Sequence, residues 1–142
     1  MSLARVLVAV GAVAVGVHYV HRHSATSHST IIAGSDENGF VTLPPAQGHD
    51  PSTVYVVAAV NCPHEAAQRA NRLADDLSSK GIPVVRTSSV RFLGSIDESA
   101  AKRMNAVMTG PLPIVFLNGK AKPGATLEDV EAEYKNPVRQ PL

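Results

Sequence analysis

Tryptophan is absent from this chain and aromatic residues are few, three Tyr and three Phe. That scarcity removes the stacking platforms on which single-stranded nucleic acids are usually held. A charge excess is also missing: 13 basic residues face 12 acidic ones. A polyanion binder normally carries a clear basic surplus, so no nucleic-acid partner is expected. Cysteine occurs once, as Cys62. An internal disulfide is therefore excluded, as is a zinc site built on cysteines of one chain. With 142 residues, the chain has the length of one ordinary domain and a short appendage.

Charges are also absent from Val6–Val20, which follows Arg5 and precedes His21-Arg22-His23. Fifteen helical residues cover about 22 Å, short of the roughly 30 Å hydrocarbon core. Ser2–Ala4 and the interfacial Tyr19 extend the stretch toward spanning length, with Arg5 and Arg22 snorkelling. Residues 1–23 are accordingly expected to be a hydrophobic helix acting as a single-pass membrane anchor, with a cleaved secretory signal as the alternative. Either reading places the following domain across a membrane, on the extracytoplasmic (periplasmic) side. Cleavage would give a secreted form. Ala12 and Gly16 have the spacing that lets two such helices approach closely.

Residues 24–52 read as a flexible linker, rich in Ser, Thr, His and Gly and carrying Pro44-Pro45 and Pro51. Within it Phe40-Val41-Thr42-Leu43 is an apolar island, read as an added edge strand or a plug on the domain surface. Four of the six histidines lie at 18, 21, 23 and 28. Interfacial or solvated side chains explain them more simply than a metal-binding tract, and no metal is expected.

From Val54 the pattern becomes regular, and the domain is expected over residues 53–137, with 138–142 as a tail. Val54–Val60 is the near-continuous apolar run of a strand covered on both faces. Pro63 suits the first turn of a helix. Ala66, Ala70, Leu73 and Leu77 recur at helical spacing, with Ala67 and Ala74 alongside, and Gly81 ends the helix. Ile82–Arg86 is a second strand. Ser95 and Glu98 read as a capping box opening a helix whose inner face is Ala100, Met104, Val107 and Met108, stopped by Gly110. Leu112–Leu117 is a third strand, and Asn118-Gly119 is a strong hairpin signal returning through Lys120-Ala121-Lys122. Thr126 caps a last helix on which Leu127, Val130 and Tyr134 share a face.

The element order is β-α-β-α-β-β-α, with two helical crossovers expected to join parallel strands and a final antiparallel edge. This predicts an α/β domain with a four-stranded mixed sheet between two helical layers.

Cys62 falls where the first strand gives way to the first helix, in Asn61-Cys62-Pro63-His64-Glu65. A thiol at a helix amino end is favoured as thiolate by the backbone N–H groups and the dipole, which improves it as a nucleophile. A protonated His64 would help the thiolate and a charged Glu65 would oppose it. The competing reading is an inert, buried cysteine acting as a small hydrophobe. A Cys-Pro pair also ligates haem iron in some proteins, but the strand–helix junction already accounts for this one. Arg86, Arg91, Lys102 and Arg103 are read first as solvated charges and second as a surface for an acidic partner.

Over roughly Val54–Asn136 the chain resembles the thioredoxin-like superfamily, and within it the glutaredoxin branch. The likeness rests on element order, the Cys62-Pro63 pair, Leu112-Pro113 opening the third strand, and Asn118-Gly119. Where the family reads Cys-Pro-Tyr-Cys, this chain reads Cys62-Pro63-His64-Glu65. The resemblance implies a thioredoxin-like α/β/α fold and a cis peptide before Pro113, facing the thiol. It also implies that the Leu112 backbone pairs with a bound peptide or with glutathione as an added strand.

Of the family's Gly-Gly-Cys-Asp segment only Gly124 is kept, in Pro123-Gly124-Ala125-Thr126, and Ala59 stands where a basic residue is usual. The activity implied is single-thiol disulfide exchange at Cys62, with Asn61, Pro63, His64, Leu112, Pro113 and Gly124 around the substrate. A protein or small-molecule thiol or disulfide is the partner. No resident cofactor is implied, and glutathione is the small thiol the resemblance brings. A non-catalytic binding or assembly module on the same fold is the alternative.

Overall fold

Val54, Val56 and Val57 are all buried, and the strand they form has a neighbour on each side. A computed structural model of the chain describes residues 32–59 and 64–136, which belong to the second of two units, Ile31–Leu142. The elements are β1 (Val41–Thr42), β2 (Val54–Val57), α1 (Glu65–Ser79), β3 (Val84–Thr87), α2 (Glu98–Met108), β4 (Ile114–Leu117), β5 (Lys120–Pro123) and α3 (Leu127–Lys135). They form an α/β structure with one open, mixed sheet ordered β1-β5-β4-β2-β3.

Five strands replace the four expected, because the Phe40–Leu43 island supplies β1, paired antiparallel with β5 through Val41↔Ala121 and Thr42↔Lys120. Two residues are too few to show a period of two in the sequence. A second correction concerns direction. β2 and β3 are parallel, as a helical crossover requires, but β4 runs antiparallel to β2, so the β3–β4 connection is not a parallel crossover. Residues 88–97 separate β3 from α2, and they are pinned to the segment before β2 by the Ala46↔Phe92 bridge and by Leu93 N–H donating to the Pro45 carbonyl. This detour lets the chain enter β4 from the end at which β2 leaves.

Two apolar layers sandwich the sheet. On one face Val54, Val56, Val115 and Leu117 meet Ala70, Leu73, Ala74 and Leu77 of α1 and Val130 of α3, with Phe40 joining them. On the other face Val57, Ile114, Phe116 and Ala121 meet Val107 of α2, with Val41, Leu43 and partly buried Tyr55 and Phe92. Helices therefore cover both sides. The α1 stripe is as read from the sequence apart from Ala66, which is half-buried. Met108 is exposed and does not belong to the inner face of α2. The cap of α2 is Asp97 rather than Ser95: its carboxylate accepts from the Ala100 N–H at 2.7 Å. Thr126 caps α3 through a complete capping box with Asp129. Asn118 and Gly119 both have positive φ, 55° and 71°, as a tight two-residue hairpin demands.

From residue 32 onward the stretch read as linker is part of the unit, and a buried charge network holds it there. The Lys120 ammonium donates to Asp36 at 2.7 Å and to Glu133 at 3.0 Å. Lys122 donates to the Asn38 carbonyl at 2.8 Å and pairs with Asp129 at 2.9 Å. Burial alone would raise the Asp36 carboxyl, but the Lys120 ammonium and the Phe40 N–H outweigh it and hold the group below its ordinary value. Burial likewise opposes charge on Lys120, and Asp36 and Glu133 overcome it and push its pKa up.

Candidate functional site

β2 leaves the sheet at Val57, directly opposite Ile114, where β4 enters. The turn before β4 and the connection from β2 to α1 therefore share one end of the sheet. On that connection His64 is the N-cap residue of α1, exposed and making no side-chain cap bond. Glu65 turns along the helix to Arg69, with Oε1 2.7 Å from Nη1, and both side chains are largely solvated. Asn61, Cys62 and Pro63, expected at this junction, lie outside the described residues, as does the hydrophobic helix expected over residues 1–23.

The turn is built from Gly110-Pro111-Leu112-Pro113. The Leu112–Pro113 peptide is cis, Pro113 is buried, and half-buried Leu112 packs against the α2-side layer. Leu112 makes no backbone hydrogen bond with another described residue. Gly124, at φ 62°, donates its N–H to the carbonyls of Pro111 at 2.7 Å and Pro113 at 2.8 Å. Its role in the structure is to brace the proline turn from behind. A Cβ there would lie 2.9 Å from Pro111 Cγ, which explains a glycine at this position. Of the expected site residues, the structure thus brings Leu112, Pro113 and Gly124 together at the end of the sheet from which α1 also starts, at His64.

A different feature occupies the hairpin end, a strand's length away. Residues 43–53 cross the α2-side face and line a half-open pocket of about 190 Å3 with Tyr55, Phe116 and Asn118. The His49 ring lies flat on Tyr55, with centroids 3.8 Å apart, and its edge meets Phe116 at 5.7 Å. Burial depresses the His49 pKa. Tyr55 fastens the crossing, accepting from the Asp50 N–H at 2.9 Å and donating to the Gly48 carbonyl at 3.3 Å. Sequence reasoning missed this construction. Its one signal was Tyr55, the only polar-tipped aromatic in an otherwise aliphatic strand.

Among the described residues no helix is long and apolar enough to cross a membrane, and no three His, Cys, Asp or Glu side chains are grouped to hold a metal ion. Compared with family models, curated proteins and solved structures, the chain gives no significant match to any of them.

Proposed function

We propose that this is a thioredoxin-like domain, glutaredoxin-like in its site, that carries out single-thiol disulfide exchange through Cys62. The observation that carries the reading is that β2 ends and β4 begins at one end of the sheet, so the connection that contains Cys62 in the sequence leaves where the Leu112-Pro113 turn enters. The β-α-β-α-β-β-α order from β2 onward and the cis Leu112–Pro113 bond also accord with what the resemblance implies.

In the proposed reaction the Cys62 thiolate attacks one sulfur of an incoming disulfide. That S–S bond breaks, a new one joins Cys62 to the attacked sulfur, and the displaced sulfur leaves as a thiolate that takes up a proton. An external thiol then attacks the partner's sulfur and releases Cys62 unchanged. Leu112 would hold the substrate backbone as an added strand, with Asn61, Pro63, His64 and Pro113 around the sulfur and Gly124 supporting the turn. Residues 1–23 would anchor the domain to a membrane, with the domain on the extracytoplasmic side. Glutathione is the small thiol of choice for the second step, and no resident cofactor is needed.

A second reading, a binding or assembly module without turnover, is favoured by Glu65, which stands where a resolving cysteine would and is engaged with Arg69. One assay separates the two. The chain is given a peptide–glutathione mixed disulfide and excess free thiol, and peptide release is followed. Release that is lost in Cys62→Ser supports exchange. Equal peptide retention by both proteins, with no release above background, leaves the binding module.

A further inference from the structure

β3 is the outermost strand of the sheet, and among the described residues nothing pairs with its far side. The carbonyls of Pro83 and Thr87 accept from Val54 and Ala58, which fixes which residues face β2. By strand alternation Val85 faces β2 as well, and Val84 and Arg86 direct their N–H and C=O groups outward. An unpaired row of this kind is a template for another strand. Proline, the usual guard of such an edge, stands only before the strand, at Pro83.

The surroundings of this edge are selective. Val85 lies opposite Tyr55, is 44% exposed, and borders an open cleft of about 330 Å3 whose walls also include Tyr55, Thr87, Val90 and Arg91. No acidic residue lines that cleft. Arg91 makes no ion pair with a described residue. On the other face of β3 the Arg86 guanidinium meets, among the described residues, the neutral Asn71 at 3.1 Å. Two arginines without carboxylate partners among the described residues thus flank an exposed valine on an open strand edge.

We propose that the β3 edge is a docking site for an extended acidic peptide segment of a partner protein, added as a sixth strand. Main-chain bonds to Val84 and Arg86 supply register, an apolar partner side chain enters the cleft beside Val85, and carboxylates meet Arg86 and Arg91. This site is separate from the Leu112–Pro113 turn. β3 lies on the far side of β2 from β4, so a domain engaged there keeps its proposed reaction end exposed.

The test uses the 142-residue chain and two labelled, end-capped eight-residue peptides, each with one central Val for the cleft and with charged residues on both strand faces around it, Glu in one peptide and Lys in the other. Binding is read by fluorescence anisotropy at low and at physiological salt. The acidic peptide is expected to bind about tenfold or more tightly than the basic one, and the charge-reversed Arg86→Glu/Arg91→Glu protein is expected to lose that preference, because close charge complementarity discriminates partners. Arg86→Thr and Arg86→Pro both remove the guanidinium, but only the proline removes the outward N–H. Weaker binding by the proline variant, at equal folded content by circular dichroism, identifies the main-chain contact.

Cys62→Ser is expected to bind like the parent. Equal affinity for both peptides, or for neither, overturns the proposal. So does acidic-peptide binding unchanged by the charge reversal, equal binding by the Thr and Pro variants, or self-association of the chain through β3 that excludes the peptide. If the proline variant does not fold, the charge reversal decides, since both of its side chains are solvated.

Discussion

The Lys120 ammonium lies 3.0 Å from the Glu133 carboxylate, and the Glu133 side chain is only 2% exposed. A part-buried hairpin lysine and a buried residue in the last turn of α3 thereby form a pair that also captures Asp36 from the segment preceding β1. Removing one member of such a pair leaves the other as an uncompensated buried charge. Lys120→Met is expected to destabilise the fold by about 3–5 kcal/mol, and Lys120→Met/Glu133→Leu by distinctly less. Urea denaturation of the three proteins checks this. A double variant as unstable as the single one would show that Glu133 does not depend on Lys120.

The same network sets an acid limit. Asp36 and Asp129 are held below their ordinary values, burial opposing the shift and the lysines and backbone N–H groups outweighing it. A carboxylate depressed in the folded state contributes stability above its unfolded pKa, and that contribution is lost as pH falls through the folded value. Stability should therefore decline below the usual carboxylate range near 3.8, and the decline should be shallower in Asp36→Asn. Lys120, shifted the other way, contributes fully below its ordinary 10.5 and loses its share only as pH rises through the higher folded value. Denaturation midpoints from pH 2 to 7 test the acid limb, and an unchanged slope in Asp36→Asn would contradict it.

His49 governs a separate window. Burial lowers its pKa, so the folded state prefers the neutral ring, and stability falls as pH drops from the ordinary 6.5 toward the folded value. His49→Phe keeps a flat ring on Tyr55 and should abolish this slope. Thermal midpoints between pH 5 and 7.5 measure it. A slope retained in the variant would assign it to another group.

At Gly110 a Cβ would stand 2.5 Å from Pro123 Cβ and 3.2 Å from the Val107 carbonyl, neither of which can swing aside. Gly110→Ala is expected to cost about 1–3 kcal/mol, as overpacking does. Thr126→Ala, which removes the cap of α3, should cost about 1 kcal/mol. Both are read from chemical denaturation, and a neutral Gly110→Ala would mean that the turn before β4 shifts readily.

What the sequence disclosed follows from which features are local. The apolar run of β2, the Ala70–Leu73–Leu77 stripe, the Asn118-Gly119 turn and the Thr126 cap each depend on neighbours within a few residues, and all were legible. Strand direction is not local: the run Ile114–Leu117 reads the same whether β4 is parallel or antiparallel to β2. Nor is the burial of Lys120 and Lys122. Alternate lysines on a hairpin arm look solvated until Asp36 and Asn38, 84 residues away, are folded over them. The apolar island at Val41 stands out in the sequence, but no pattern names its partner Ala121. For the site, the proline turn and the α1 start were legible from sequence, and both lie at one end of the sheet. The Tyr55–His49 crossing was not, because residues 43–53 carry no period to read.

Whether Cys62 exchanges disulfides is read from the reactivity of its thiol in the native chain. With an aromatic disulfide as reagent, one thiolate is expected to be released per folded chain, with a pH midpoint below the ~8.5 of an ordinary cysteine. Release seen only after denaturant is added, or a midpoint above that value, would contradict exchange at Cys62.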